Sequence, residues 1–200
     1  MRSKLRQLVL AAGLVAMASM ATAQFSSMGV DFLKAVRDRD AGKVMELIRA
    51  DGSTVINYRD YGTGEAALHI ATARRDQAYM NLLLGWDASP DIKTDKGDTP
   101  LIMAARIGYL EGVDTLLRNK AKVDLDNRAG ETPLIIAVQQ RQAPVVKRLL
   151  EAGANPDHTD NAAGRSARDY AKLDRRNTDL LRLIETVKAT KPTLVAGPKL

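Results

Sequence analysis

Apolar residues recur along the chain at helical spacing, in paired blocks set apart by polar stretches that carry glycine. Between residues 99 and 106, Leu101, Ala104 and Ala105 stand three and four positions apart; Val113, Leu116 and Leu117 follow in the same way. This spacing predicts two short helices in succession. Thr99 suits an N-cap, and Pro100 the first helical position, where its missing N–H costs nothing. Gly108 predicts the end of the first helix, because glycine tolerates the left-handed conformation found there. Asp95-Lys96-Gly97-Asp98 reads as a turn leading into the pair. The pattern returns with Gly130, Thr132-Pro133-Leu134, Ala137, Val146 and Leu149-Leu150. Gly64, Gly97 and Gly130 lie 33 residues apart. Leu68, Leu101 and Leu134 keep that interval, as do Ala71, Ala104 and Ala137, and Ala88, Ala121 and Ala154. The Leu-Leu pairs at 83, 116 and 149 keep it too. A fixed period of this length marks stacked units, since a single unit has no partner for its apolar face.

Thr99-Pro100-Leu101-Ile102-Met103-Ala104 and Thr132-Pro133-Leu134-Ile135-Ile136-Ala137 resemble the Thr-Pro-Leu-His-x-Ala helix start of the ankyrin repeat, with isoleucine in the histidine position. Ala66-Ala67-Leu68-His69-Ile70-Ala71 keeps the histidine and lacks the Thr-Pro. The resemblance implies an all-α fold, an ankyrin-repeat solenoid of stacked helix-turn-helix units with short β-turn or hairpin loops. It also implies a structural role for His69, and a polar tie between turn and helix that Ile102 and Ile135 replace with packing. Full repeats are expected at 61–93, 94–126 and 127–160. Phe32, Ala35, Val36, Val44, Leu47 and Ile48 extend the pattern into an N-terminal cap at 29–60. Asn161-Ala162-Ala163-Gly164 opens a C-terminal cap, 161–190, one residue late. Polar residues such as Arg165, Arg168 and Lys172 suit the outer face that a terminal unit shows to water. Residues 24–28 form a short lead-in to the repeat domain at 29–190, and 191–200 is expected to be a disordered tail.

The N-terminus changes the picture of where the protein works. Arg2, Lys4 and Arg6 precede the uncharged run Leu8 to Ala18, and Ala21-Thr22-Ala23 supplies small residues at a cleavage position. This is the layout of a secretory signal peptide, cleaved after Ala23. The apolar run is short for a membrane span. The expected location is the periplasm or beyond, without membrane attachment once the leader is removed. The chain carries 30 Lys+Arg and 24 Asp+Glu, a net charge of +6, and three of those cations belong to the leader. The remaining charge is mildly basic and mixed in sign, which argues against a nucleic-acid protein. There is no cysteine, so an exported chain of this kind is held by packing rather than disulfides.

No residue pattern points to catalysis, a metal or a cofactor. The two histidines are 89 residues apart, and zinc wants clustered Cys/His ligands. Asp157-His158-Thr159-Asp160 offers acid and base groups, but in a loop where such residues commonly satisfy turns. Asp124, Asp126, Asp157 and Asp160 lack calcium-loop spacing. What remains is a recognition surface. The resemblance places turn tips and the inner faces of the first helices along a concave groove. Its candidate contacts are Thr63, Glu65, Arg74, Asp95, Lys96, Asp98, Arg106, Ile107, Arg128, Glu131, Gln139 and Gln140. Trp86, in the loop after a second helix, stands either as an interface anchor or folded over the neighbouring loop. The expectation is an exported, monomeric, non-enzymatic module that binds a protein partner along this face. An accessory factor protecting a periplasmic enzyme, for instance in oxidative-stress defence, and a secreted effector acting on host proteins are the alternatives.

Overall fold

The computed structural model describes residues 28–50, 53–174 and 178–189. The expected leader, most of the lead-in and the expected tail lie outside the described residues. Residues 28–38 (α1) and Ala41–Arg49 (α2) form the first helix pair. Ala67–Ala73 (α3) and Gln77–Gly85 (α4) form the second, Pro100–Arg106 (α5) and Leu110–Arg118 (α6) the third. Pro133–Gln139 (α7) and Ala143–Glu151 (α8) form the fourth, Ala167–Leu173 (α9) and Thr178–Ala189 (α10) the last. A 3-10 turn, Val55–Asn57, lies between α2 and the first full repeat. Among the described residues no strand forms; isolated antiparallel bridges join Arg59 to Ala66 and Thr159 to Ser166.

The pairs stack in two layers. First helices α3, α5, α7 and α9 pack in order against one another, and second helices α4, α6, α8 and α10 do the same behind them. The core follows the 33-residue period. Leu68, Leu101 and Leu134 from the first layer meet Leu83, Leu116 and Leu149 from the second, none more than 1% exposed. Phe32, Leu33 and Val44 close one end, Leu180 and Ile184 the other. One continuous cluster therefore runs the length of the molecule, although no single unit is more than two helices thick.

Helix starts keep more of the polar tie than the sequence implies. The Thr99 hydroxyl accepts from the Ile102 amide (3.2 Å) and that of Thr132 from the Ile135 amide (3.3 Å). Ile102 and Ile135 are fully buried, so only the histidine half of the tie is traded for packing. In the repeat that lacks threonine, His69 takes over the cap. Its Nδ1 accepts from the Ala66 amide at 3.1 Å, leaving Nε2–H to donate across the repeat boundary to the Asp98 carbonyl at 3.0 Å. Helix α9 opens on a capping box in which Ser166 and Asp169 bond reciprocally.

The turns between helices also repeat. Gly108 ends α5 at φ 63°, as its sequence position suggests, but Arg75 and Arg141 hold the same place at φ 55° and 56°. After the second helices, Asp87, Lys120 and Gly153 are left-handed at φ 59°, 65° and 95°. The stack thus imposes this conformation whether or not glycine is present, at a steric cost to the other side chains.

Candidate protein-binding surface

Each helix pair after the first is preceded by a hairpin-like tip, at 60–65, 94–98, 127–131 and 160–165. A backbone bond across its base closes each tip. The amides of Asp60, Thr94, Asn127 and Asp160 donate to the carbonyls of Glu65, Asp98, Glu131 and Arg165, at 2.7 to 3.1 Å. Neighbouring tips are joined by one further bond apiece. Asp95 N–H donates to the Thr63 carbonyl (3.1 Å), Arg128 N–H to Lys96 (3.0 Å) and Asn161 N–H to Ala129 (2.8 Å). Gly97 shows why glycine is needed: it sits at φ 82°, and a Cβ there would lie 2.7 Å from the Arg128 amide nitrogen. The tips thereby form a ladder beside the first-helix layer.

Two hollows open between this ladder and α5. One, of about 360 Å3, is lined by Gly62, Thr63, Glu65, Thr94, Asp95, Lys96, Asp98, Met103 and Arg106. The next, of about 380 Å3, shares Asp95, Lys96, Asp98 and Arg106 and adds Asn127, Arg128, Ala129 and Glu131. Eight of the twelve candidate surface residues are thus brought together: Thr63, Glu65, Asp95, Lys96, Asp98, Arg106, Arg128 and Glu131. The other four do not line either hollow. Arg74 turns back to donate to the Val36 carbonyl at 3.1 Å. Ile107 packs partly buried against the core, and its carbonyl accepts from Arg75. Gln139 and Gln140 are exposed at the end of α7, where Gln139 bonds Tyr170 of α9.

Asp98 is not a free surface acid, as its place in a turn suggests. It is 6% exposed. Its two carboxylate oxygens receive the Arg106 guanidinium at 2.7 and 3.1 Å, and Oδ1 also accepts from Asn127 Nδ2 at 2.9 Å. Burial opposes its ionisation, but these bonds outweigh burial and hold its pKa below the usual carboxylate value. The Arg106 pKa rises with it. Arg106 is therefore committed to the floor of the groove rather than extended from it.

Asn127 is the residue that sequence reasoning missed. It is 8% exposed and uses its full hydrogen-bonding capacity. Its amide nitrogen donates to Asp98 and to Glu131 Oε2 (2.9 Å each), and its oxygen accepts from the amides of Ala129 (2.9 Å) and Glu131 (3.0 Å). A lone asparagine three residues before a turn glycine looks like ordinary turn chemistry, and nothing local marks its link to Asp98, 29 residues earlier. Met103, half-buried in the first hollow, and Tyr61, 98% exposed on the first tip, were also not singled out; only the aromatic character of Tyr61 offered a signal.

Elsewhere, Trp86 is 39% exposed at the end of α4. The Arg49 guanidinium lies over its ring, 5.8 Å from the centroid, so it packs against the cap on the side of the second helices and takes no part in the hollows. The acids and base of 157–160 face different partners. Asp157 accepts from Arg168 Nε at 2.7 Å, Asp160 from the Tyr170 hydroxyl at 2.5 Å, and His158 Nε2 is 4.0 Å from Asp126. His69, fully buried, has its pKa lowered to about 4, chiefly by desolvation. Among the described residues no group of three or more His, Cys, Asp or Glu is placed to hold a metal ion. No described helix is long and apolar enough to cross a membrane.

Comparison with known proteins agrees with the geometry. The chain is similar to the nuclear factor NF-kappa-B p110 subunit of Drosophila melanogaster, 33% identical over 72 residues. That match covers 36% of this chain and 7% of the fly protein, so the chain spans a small fraction of that relative's length. Residues 68–160, from α3 through α8 to the fourth tip, match the family model for ankyrin repeats in three copies. This segment therefore consists of ankyrin repeats, and the chain is an all-α repeat solenoid.

Proposed function

We propose that the protein is an exported, non-enzymatic interaction module that holds a protein partner along the tip ladder and the adjoining faces of α5. The observation that carries this reading is the pair of contiguous hollows beneath the tips. Successive repeats line them, so the surface is extended and rigidly spaced, which suits a peptide or protein edge better than a small molecule. The ankyrin match over 68–160 supports it, as does a relative whose name calls it a subunit. Export rests on the basic start and apolar run before Ala23.

Site-specific photo-crosslinking in the native compartment tests the interaction. A crosslinker at Ala129, exposed in the second hollow, is expected to capture a discrete protein, and one at Lys120, behind the second helices, is not. Equal capture at both positions, or none at Ala129, overturns the reading. Fractionation followed by N-terminal sequencing is expected to find the chain outside the cytoplasm and starting at Gln24. A cytoplasmic chain that retains Met1 to Ala23 removes the export half.

A further inference from the structure

We infer that the hollow between the second and third tips takes one carboxylate side chain from the partner, held between Lys96 and Arg128; this rests on the protein-binding reading above. The argument is a charge account of that hollow. Its three acids are all satisfied from within. Asp95 is paired with Arg59 at 2.5 Å, Asp98 with Arg106 at 2.7 Å, and Glu131 accepts from Asn127. Lys96 and Arg128 are exposed at the rim, and among the described residues neither side chain has an acidic partner. Asp95 and Asp98 are thus each neutralised by a guanidinium, Arg59 from outside the lining and Arg106 from within it, which leaves Lys96 and Arg128 against Glu131 alone, an excess of a single positive charge.

That excess selects the ligand. A lone carboxylate matches it, whereas a doubly charged phosphate would stand close to three fixed anions, and a basic side chain would meet the two unpaired cations. Arg128 offers the fork that fits a carboxylate bidentately, and Lys96 a second, mobile donor. The carboxylate's position along the partner is also restricted. In the adjoining hollow Glu65 is an acid without a cationic partner among the described residues, so a second partner acid there is repelled. The floor is already rigid, because Asp98, Arg106 and Asn127 hold one another, and little ordering is left for the partner to impose.

A library of random dodecapeptides displayed on phage and selected on the full exported chain tests this. Peptides enriched by the wild type are expected to share an Asp or Glu, and a synthetic consensus peptide is expected to bind at least tenfold more weakly when that acid is changed to Asn or Gln. The double variant K96E/R128E is expected to keep the wild-type circular dichroism and melting temperature, since neither side chain has an internal acidic partner. It should lose the acidic consensus and enrich Lys or Arg in its place. The inference is overturned if enriched peptides show no acidic preference, if the variant selects the same peptides, or if a phosphopeptide displaces the consensus more strongly than its carboxylate counterpart. Crosslinking at Ala129 that still captures a partner in any of those cases leaves the interaction reading standing and removes only the carboxylate.

Discussion

At the scale of single residues, Asn127 and His69 act as buried connectors between repeats, and each can be tested by its proton chemistry. Asn127 places one amide hydrogen on Asp98 and the other on Glu131. In Asn127→Asp, a third carboxylate replaces a double donor between two acids. Denaturant unfolding at pH 7 is expected to show a loss of about 1–3 kcal/mol, shrinking as the pH is lowered and the acids protonate. His69 is held neutral by burial, with a folded pKa of about 4 against 6.5 when free. Its depressed value means that the unfolded chain takes up the proton first on acidification. Stability is therefore full above pH 6.5, falls between 6.5 and about 4, and levels off below. Between pH 7.5 and 5 the loss is expected to be about 2 kcal/mol, and His69→Gln should flatten that slope. Asp98 acts in a separate window: its lowered pKa gives stability that is present above the ordinary carboxylate value and is lost only as pH falls through the folded one. The structural role of His69 was legible, because it falls at a repeat position with a known capping geometry. The burial of Asp98 was not, because its partners Arg106 and Asn127 lie 8 and 29 residues away and a turn acid gives no local sign of which way its carboxylate faces.

At the scale of elements, helices and their order were readable from period alone. Apolar residues at 3.6 spacing, proline at the first helical position and glycine at the tips all agree on the same register. The turn conformations were only partly readable. Gly108 announces a left-handed residue, but Arg75 and Arg141 adopt it without any sequence mark, because packing of the next helix settles the backbone and the side chain follows. Lys120 is the cleanest place to measure that cost. It is exposed, at φ 65°, in the place where the following repeat has Gly153. Lys120→Gly is expected to stabilise the fold by about 0.5–1 kcal/mol, the relief of the left-handed strain less the entropy of glycine. A lower melting temperature for this variant would mean that the turn carries no strain.

At the scale of the whole molecule, stability is shared between neighbours rather than centred. Leu116 and Leu149 are fully buried in the second-helix layer, and truncation of either to alanine is expected to cost about 2–5 kcal/mol. Because the main contacts of each helix pair, among the described residues, are with the pairs beside it, the damage should spread unevenly. Hydrogen exchange in Leu149→Ala is expected to accelerate in α7 to α10 before α3 and α4, and uniform acceleration along the chain would show instead that the stack unfolds as one block.

Among the described residues Gly164 has no atom within 4 Å of the place a side chain would occupy, whereas Gly64, Gly97 and Gly130 each abut the following tip. Within the described residues the ladder therefore finishes on an open rung. An engineer wishing to lengthen the proposed recognition face has a ready point of attachment: an additional 33-residue module is expected to dock against that rung and extend the tip ladder by one step, leaving the two existing hollows untouched.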